Sequence, residues 1–134
     1  MTGSDLAAAA QSLVGTPFRL HGCDPQSGLD CIGLFGAAMA RAGFPVTLPN
    51  GYPLRTLAPE AWLPAPESCG FAAAEGAAEQ GDVLLMRLGA AQVHLAIVSA
   101  RGWVHAHAGL RRVVCGPPLA EARITHRWRL APHN

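Results

Sequence analysis

The hydrophobic period of the chain changes once, at Gly81-Asp82, and that change limits the folds open to it. Before it, apolar residues recur at helical spacing. Leu6, Ala10, Leu13 and Val14 make one face over residues 5–14, with Asp5 as the N-cap candidate and Gly15 as the stop. Ile32, Leu34, Phe35, Ala38 and Met39 make another over residues 30–42, closed by Gly43. Between these helices, residues 16–29 carry Pro, Gly and Asp and read as a loop. Residues 44–70 hold many of the prolines, with a short helix expected near residues 57–63, and a brief Ala-rich stretch follows. After Gly81-Asp82 come short apolar runs suited to strands: Val83–Met86, Val93–Ser99, Gly102–Ala106, Arg112–Cys115 and Ile124–Leu130. Ala100-Arg101-Gly102 supplies a tight connection. Helices first and an antiparallel sheet second make an α+β arrangement.

With 134 residues and neither repeat nor linker, the chain is expected to be one domain over 1–134. Half of it is hydrophobic and 14% is charged, which excludes a disordered polyelectrolyte. All ten basic residues are Arg, and the net charge of +1 offers no long-range attraction for nucleic acid or anionic membrane, so neither is expected as a partner. No stretch approaches the ~18–20 apolar residues of a membrane span. Residues 1–5 carry no basic segment followed by an apolar one, so the expectation is synthesis in the cytoplasm without a signal peptide. Cys23, Cys31, Cys69 and Cys115 form no C-x-x-C pair. A disulfide framework is therefore not expected, and the spacings do not match a structural zinc site.

Cys31 opens the second helix. There the macrodipole and unpaired backbone N–H groups favour thiolate, so a thiol pKa below the ordinary range of about 8.5 is expected. The same groups suit the oxyanion of a tetrahedral intermediate. Gly33, in the first turn, would let a substrate approach. The plain alternative makes Cys31 a small core residue. His94 sits on the apolar strand Val93–Val98, where an imidazole needs a partner. It is either a core histidine bonded to backbone or the base for Cys31. His105 and His107 lie two apart on the next strand and share a face. His105, running antiparallel beside His94, suits the orienting member of a triad, with His107 farther out at the rim. His94, His105 and His107 would alternatively make a three-histidine zinc set, which leaves Cys31 unexplained.

The strings Gly15-Thr16-Pro17-Phe18-Arg19 and Gly28-Leu29-Asp30-Cys31-Ile32-Gly33-Leu34 resemble the opening of NlpC-like cell-wall cysteine peptidases. Gly81-Asp82-Val83-Leu84, His94-Leu95-Ala96-Ile97-Val98 and Trp103-Val104-His105-Ala106 follow in that family's order, covering roughly residues 6–115. The resemblance implies a papain-like fold and a peptidase without cofactor or metal. Cys31 would be its nucleophile, His94 the base and His105 the orienting residue, with Phe18, Asp30, Gly33 and His107 as substrate-binding positions. It implies a peptidoglycan stem-peptide substrate. The nearest likeness is to short family members carried by phage tails and gene transfer agents, with tail or baseplate proteins as partners and the cell wall as place of action. A cytoplasmic wall-recycling enzyme shares the same features. The chain departs from the family in carrying Phe18 where Tyr is usual, and His21 and Cys23 in place of a Gly-Gly turn. These departures keep two further readings in view: an amidase or acyltransferase on another amide or ester, and a catalytically idle structural plug of a tail.

Overall fold

Thr2 and Asp5 begin the first helix with a reciprocal capping box. The Thr2 side chain accepts from the Asp5 N–H, and the Asp5 carboxylate accepts from the Thr2 N–H at 2.9 Å. Asp5 is thus the third helical residue and not the N-cap, and α1 runs Gly3–Ser12, two residues earlier than its periodicity suggests. The structure, a computed structural model, describes residues 1–46, 69–88, 92–119 and 122–131. The short helix expected near residues 57–63 lies outside the described residues.

Two short strands, β1 (Cys23–Asp24) and β2 (Gly28–Leu29), pair within the segment read as loop. Helix α2 follows over Cys31–Arg41, capped by Asp30. Then come β3 (Phe71–Ala73), β4 (Val83–Leu88), β5 (Gln92–Ser99), β6 (Gly102–His107), β7 (Arg112–Gly116) and β8 (Arg123–Leu130). The six form one antiparallel sheet in the order β3-β8-β4-β5-β6-β7. Consecutive strands β4 to β7 are neighbours, as short connections dictate. β8 returns across the sheet to lie beside β4, and β3 pairs outside it in the stretch read as Ala-rich.

Both helices lie on one face of this sheet. Leu6, Leu13, Ile32, Leu34 and Met39 from the helices meet Val83, Leu85, Val93, Leu95, Ile97, Val104 and Val113 from the strands. Each fully buried Leu, Ile or Met contributes about 1.5–3 kcal/mol. The alternate residues Leu84, Met86, Ala96, Val98 and Trp103 build a smaller cluster on the opposite face. Gly81-Asp82 anchors the turn into β4. A Cβ on Gly81 would lie 2.4 Å from the Gly3 Cα, so the start of α1 can seat there only on glycine. Asp82 is fully buried and receives Arg129 from β8 in a two-point contact of 2.8 and 2.9 Å. That bond ties β8 to the β4 entrance.

Candidate active site

Asp30 ends β2 and caps α2, so the chain turns sharply and presents Cys31 as the first helical residue. One Asp30 oxygen accepts the Gly33 N–H and the other the His21 N–H, both at 2.8 Å. Asp30 has no solvent exposure. Its carboxylate, expected at a substrate-binding position, is engaged by backbone N–H groups of the loop before Cys31 and of the first turn after it. Gly33, expected to admit a substrate, is enclosed likewise. A Cβ there would sit 1.9 Å from the Gly22 carbonyl oxygen, so the close approach is made by the loop 19–23 and not by a substrate. Phe18 is half-buried and packs on the helix-side core, its N–H donating to the Arg111 carbonyl at 2.9 Å. His21 is exposed with φ +60°, and Cys23 is exposed on β1.

The place of Cys31 follows from a split in the sheet. The Val98 N–H bonds the Asp82 carbonyl, on the β4 side. Alternation along β5 then turns the His94 and Ala96 N–H groups toward β4 and the Leu95 N–H toward β6. Yet the β5–β6 ladder runs from Ser99↔Gly102 to Ile97↔Val104 and pairs no residue nearer to His94. The Leu95 N–H instead lies near enough to the sulfur of Cys31 to lower its pKa. The start of α2 is therefore wedged where β5 and β6 part, one residue along the backbone from His94.

His94 and His105 meet across that parting. His94 Nε2 lies 2.9 Å from His105 Nδ1, with the rings edge to face at 81°. They are not directly opposed as expected. Continuing the register of Ile97↔Val104 sets His94 opposite His107, and His105 reaches His94 as a diagonal neighbour. His107 is half-buried, with its ring centroid 5.9 Å from that of His105. Its Nδ1 accepts the Leu110 N–H at 3.0 Å, which holds the ring against the turn after β6. Among the described residues no three His, Cys, Asp or Glu side chains converge as a metal-holding group, the three histidines included.

The electrostatics differ from the expectation for a helix-start thiol. Burial, and next the Asp30 carboxylate, push the Cys31 thiol up to about 12; the N–H groups of Leu95, Ile32 and Cys31 oppose them and lose. The expected depressed pKa is therefore overturned: Cys31 is 3% exposed, and desolvation outweighs the dipole there. Burial also pushes the His94 imidazole down to about 4, helped by His105 and then His107. His105 is shifted down for the same reasons, burial first. At neutral pH the pair is a neutral thiol and a neutral imidazole. Because Nε2 of His94 is engaged with His105, Nδ1 is the ring nitrogen outside that bond. It is basic only in the tautomer in which His94 Nε2–H donates to His105 Nδ1.

Sequence patterns carry no signal for the Leu95 N–H at the sulfur or for the Leu110 N–H at His107, since both are backbone groups placed by strand register. Arg112, which opposes His107 across β6 and β7, belongs with the site for the same reason.

No family model matches the sequence, and no curated protein matches it. Solved structures do. The NlpC/p60 domain of the peptidoglycan hydrolase SagA superposes with a TM-score of 0.59 at 27% sequence identity, over 87% of this chain and 90% of that domain. NlpC1 from Trichomonas vaginalis superposes with a TM-score of 0.67 at 18% identity, over 94% of this chain and 44% of that protein. The second likeness is one of fold alone, and this chain spans less than half of that protein's length. Two helices on a six-stranded antiparallel sheet are thus the papain-like α+β fold of NlpC/p60 domains.

Proposed function

We propose that this chain is a cysteine peptidase that hydrolyses peptide bonds in peptidoglycan stem peptides, with Cys31, His94 and His105 as its catalytic unit. The observation that carries the reading is the wedge: a cysteine at a helix start packed with Leu95, the strand position beside His94, whose ring is bonded in turn to His105. The likeness to the NlpC/p60 domain of a peptidoglycan hydrolase supports the substrate class.

Because the resting pair is neutral, the proton moves as the bond forms. The Cys31 sulfur attacks the carbonyl carbon while its proton passes to His94 Nδ1, and the π electrons move onto the carbonyl oxygen. The resulting imidazolium keeps its Nε2–H on His105 Nδ1. The oxyanion faces the N–H groups of the helix start, which carry the positive end of the dipole. Collapse expels the amine, which leaves with the proton from His94, and a thioester remains on Cys31. A water then gives its proton to His94 and its oxygen to the acyl carbon; collapse returns the proton to sulfur and frees the acid.

Action on the wall as a component of a phage-like tail, with tail or baseplate proteins as partners, is part of the proposal; it rests on the resemblance of the motifs and their order to short tail-borne members of the family. The experiment that tests the whole is digestion of purified peptidoglycan followed by mass analysis. New amine and carboxyl ends within stem peptides, absent with Cys31→Ala, are the expected products. Intact peptidoglycan after prolonged incubation would overturn the reading.

A further inference from the structure

Two arginines flank the site with no acidic partner among the described residues. Arg112 opposes His107 directly across the β6–β7 ladder, so the two side chains share a face with Cβ atoms about 4.5–5.5 Å apart. His105 opposes Val114 one step away on that face. On its other side Arg112 forms an antiparallel bridge with Pro17, and Arg19, two residues on, returns to the side of Pro17. Residues 16–19 are laced to both neighbours. Val113 N–H donates to the Thr16 carbonyl and Phe18 N–H to the Arg111 carbonyl; Leu29 N–H donates to the Pro17 carbonyl and Arg19 N–H to the Leu29 carbonyl. This segment therefore joins the strand beside His107 to the strand that runs into Cys31. Both arginines are exposed.

Their surroundings set them apart from three other arginines. Arg129 is held by Asp82 and Glu79, Arg127 by the Gly76 carbonyl, and Arg41 by Ser12. Among the described residues several acids are already engaged. Asp30 and Asp82 are buried and bonded, and Asp5 closes the cap of α1. Asp24 on β1 bonds the Gln26 N–H.

We infer that Arg112 and Arg19 form a carboxylate-binding subsite beside His107, through which the site selects peptides that carry free carboxylates. Guanidinium suits this task, because its planar fork meets a carboxylate at two points and keeps its charge at every working pH. The inference rests on the peptidase reading for its substrate, and the arrangement of charge stands without it.

The test is binding of a synthetic stem peptide to the Cys31→Ala protein, beside the same peptide with every carboxylate amidated. The free acid should bind more tightly, and Arg112→Gln should weaken it by about tenfold, the scale of one lost charge-assisted contact. Arg19→Gln should act in the same direction. Arg112→Lys should keep part of the preference, and salt should erode it. The amidated peptide should bind these variants as it binds the parent. Equal loss for both peptides would mark Arg112 as structural and overturn the subsite, as would an unchanged preference or no binding of either peptide. Hydrolysis with no preference for the free acid would sink the subsite and leave the peptidase standing; an Arg112-dependent preference without hydrolysis by the Cys31 protein would do the reverse.

Discussion

His94 Nε2 and His105 Nδ1 are 2.9 Å apart on strands that have stopped pairing, so one proton between two rings decides which nitrogen of His94 is basic. If that proton belongs to His94, Nδ1 is a base for the thiol. If it belongs to His105, Nδ1 of His94 must carry the ring's own proton and the site is idle. On the proposed mechanism the 2.9 Å bond gives His105 a positioning role.

Removal of His94 should therefore cost nearly as much as removal of Cys31, about 10⁴-fold or more in kcat, because members of one catalytic unit are strongly non-additive. His105→Ala should cost about 10²-fold, the scale of a lost positioning contact to a general base. His105→Asn should recover part of that loss, since its amide oxygen also accepts a hydrogen bond from Nε2–H. His107→Ala should raise KM more than it lowers kcat. Steady-state kinetics on a soluble stem peptide checks all four, and a His105→Ala enzyme with full kcat would remove His105 from the unit.

Cys31 should resist alkylation at neutral pH, because burial and Asp30 hold its thiol neutral up to about 12. Cys23 is exposed and should be labelled first. Peptide mapping after timed iodoacetamide treatment reads the order. Cys31→Ser should abolish hydrolysis, and Cys23→Ala should leave most of it. Activity should persist in strong chelator, since the mechanism assigns the histidines to proton transfer. Chelator-sensitive hydrolysis that survives Cys31→Ser would favour zinc.

Folding stability should fall as the pH drops from about 6.5 toward 4. The unfolded chain takes up a proton on an ordinary imidazole near pH 6.5, whereas folded His94 does so at about 4. Between these values the unfolded state binds more protons, so acid favours it. His105 shifts in the same direction and adds to the slope. Cys31 gives the mirror effect in alkali: its thiol ionises near pH 9 when unfolded and at about 12 when folded, so stability falls across that window. Urea midpoints at pH 7, 5.5 and 4.5 test the acid limb. His94→Gln should flatten it, and an unchanged slope would show that His94 is not held neutral by the fold.

Asp82→Ala should destabilise the protein by about 2–3 kcal/mol, less than the 3–5 of a fully buried pair because the Arg129 side chain is 33% exposed. Asp82→Asn keeps one acceptor and should cost less. Thermal melts measure both. Since Asp82 lies outside the site, kcat at a temperature where the variant is folded should stay unchanged.

Local chemistry in the sequence was enough to place most of what the fold needs. The apolar face over residues 30–42 marked α2 to within a residue at each end, because a 3.6-residue period is written in neighbouring positions, whereas the capping role of Asp30 was not read from it. The runs after Gly81-Asp82 marked five strands of the sheet, since short apolar runs between turn residues leave few other structures open. Cys31, His94, His105 and His107 were singled out by residue type and element. Register was not legible. A strand pattern does not say where β5 and β6 part, so it set His105 opposite His94, whereas the two rings meet on a diagonal. It did not place β3 and β8 side by side, because that pairing joins residues more than fifty positions apart. Burial was also decided in three dimensions. The helix start alone argues for a low thiol pKa; the core around Cys31 and the buried Asp30 carboxylate argue against it, and desolvation wins because charge is stabilised far less away from water. Gly33 and Asp30, expected as substrate-binding positions from the family resemblance, are held against Gly22 and His21 by a loop whose path the tertiary fold alone determines.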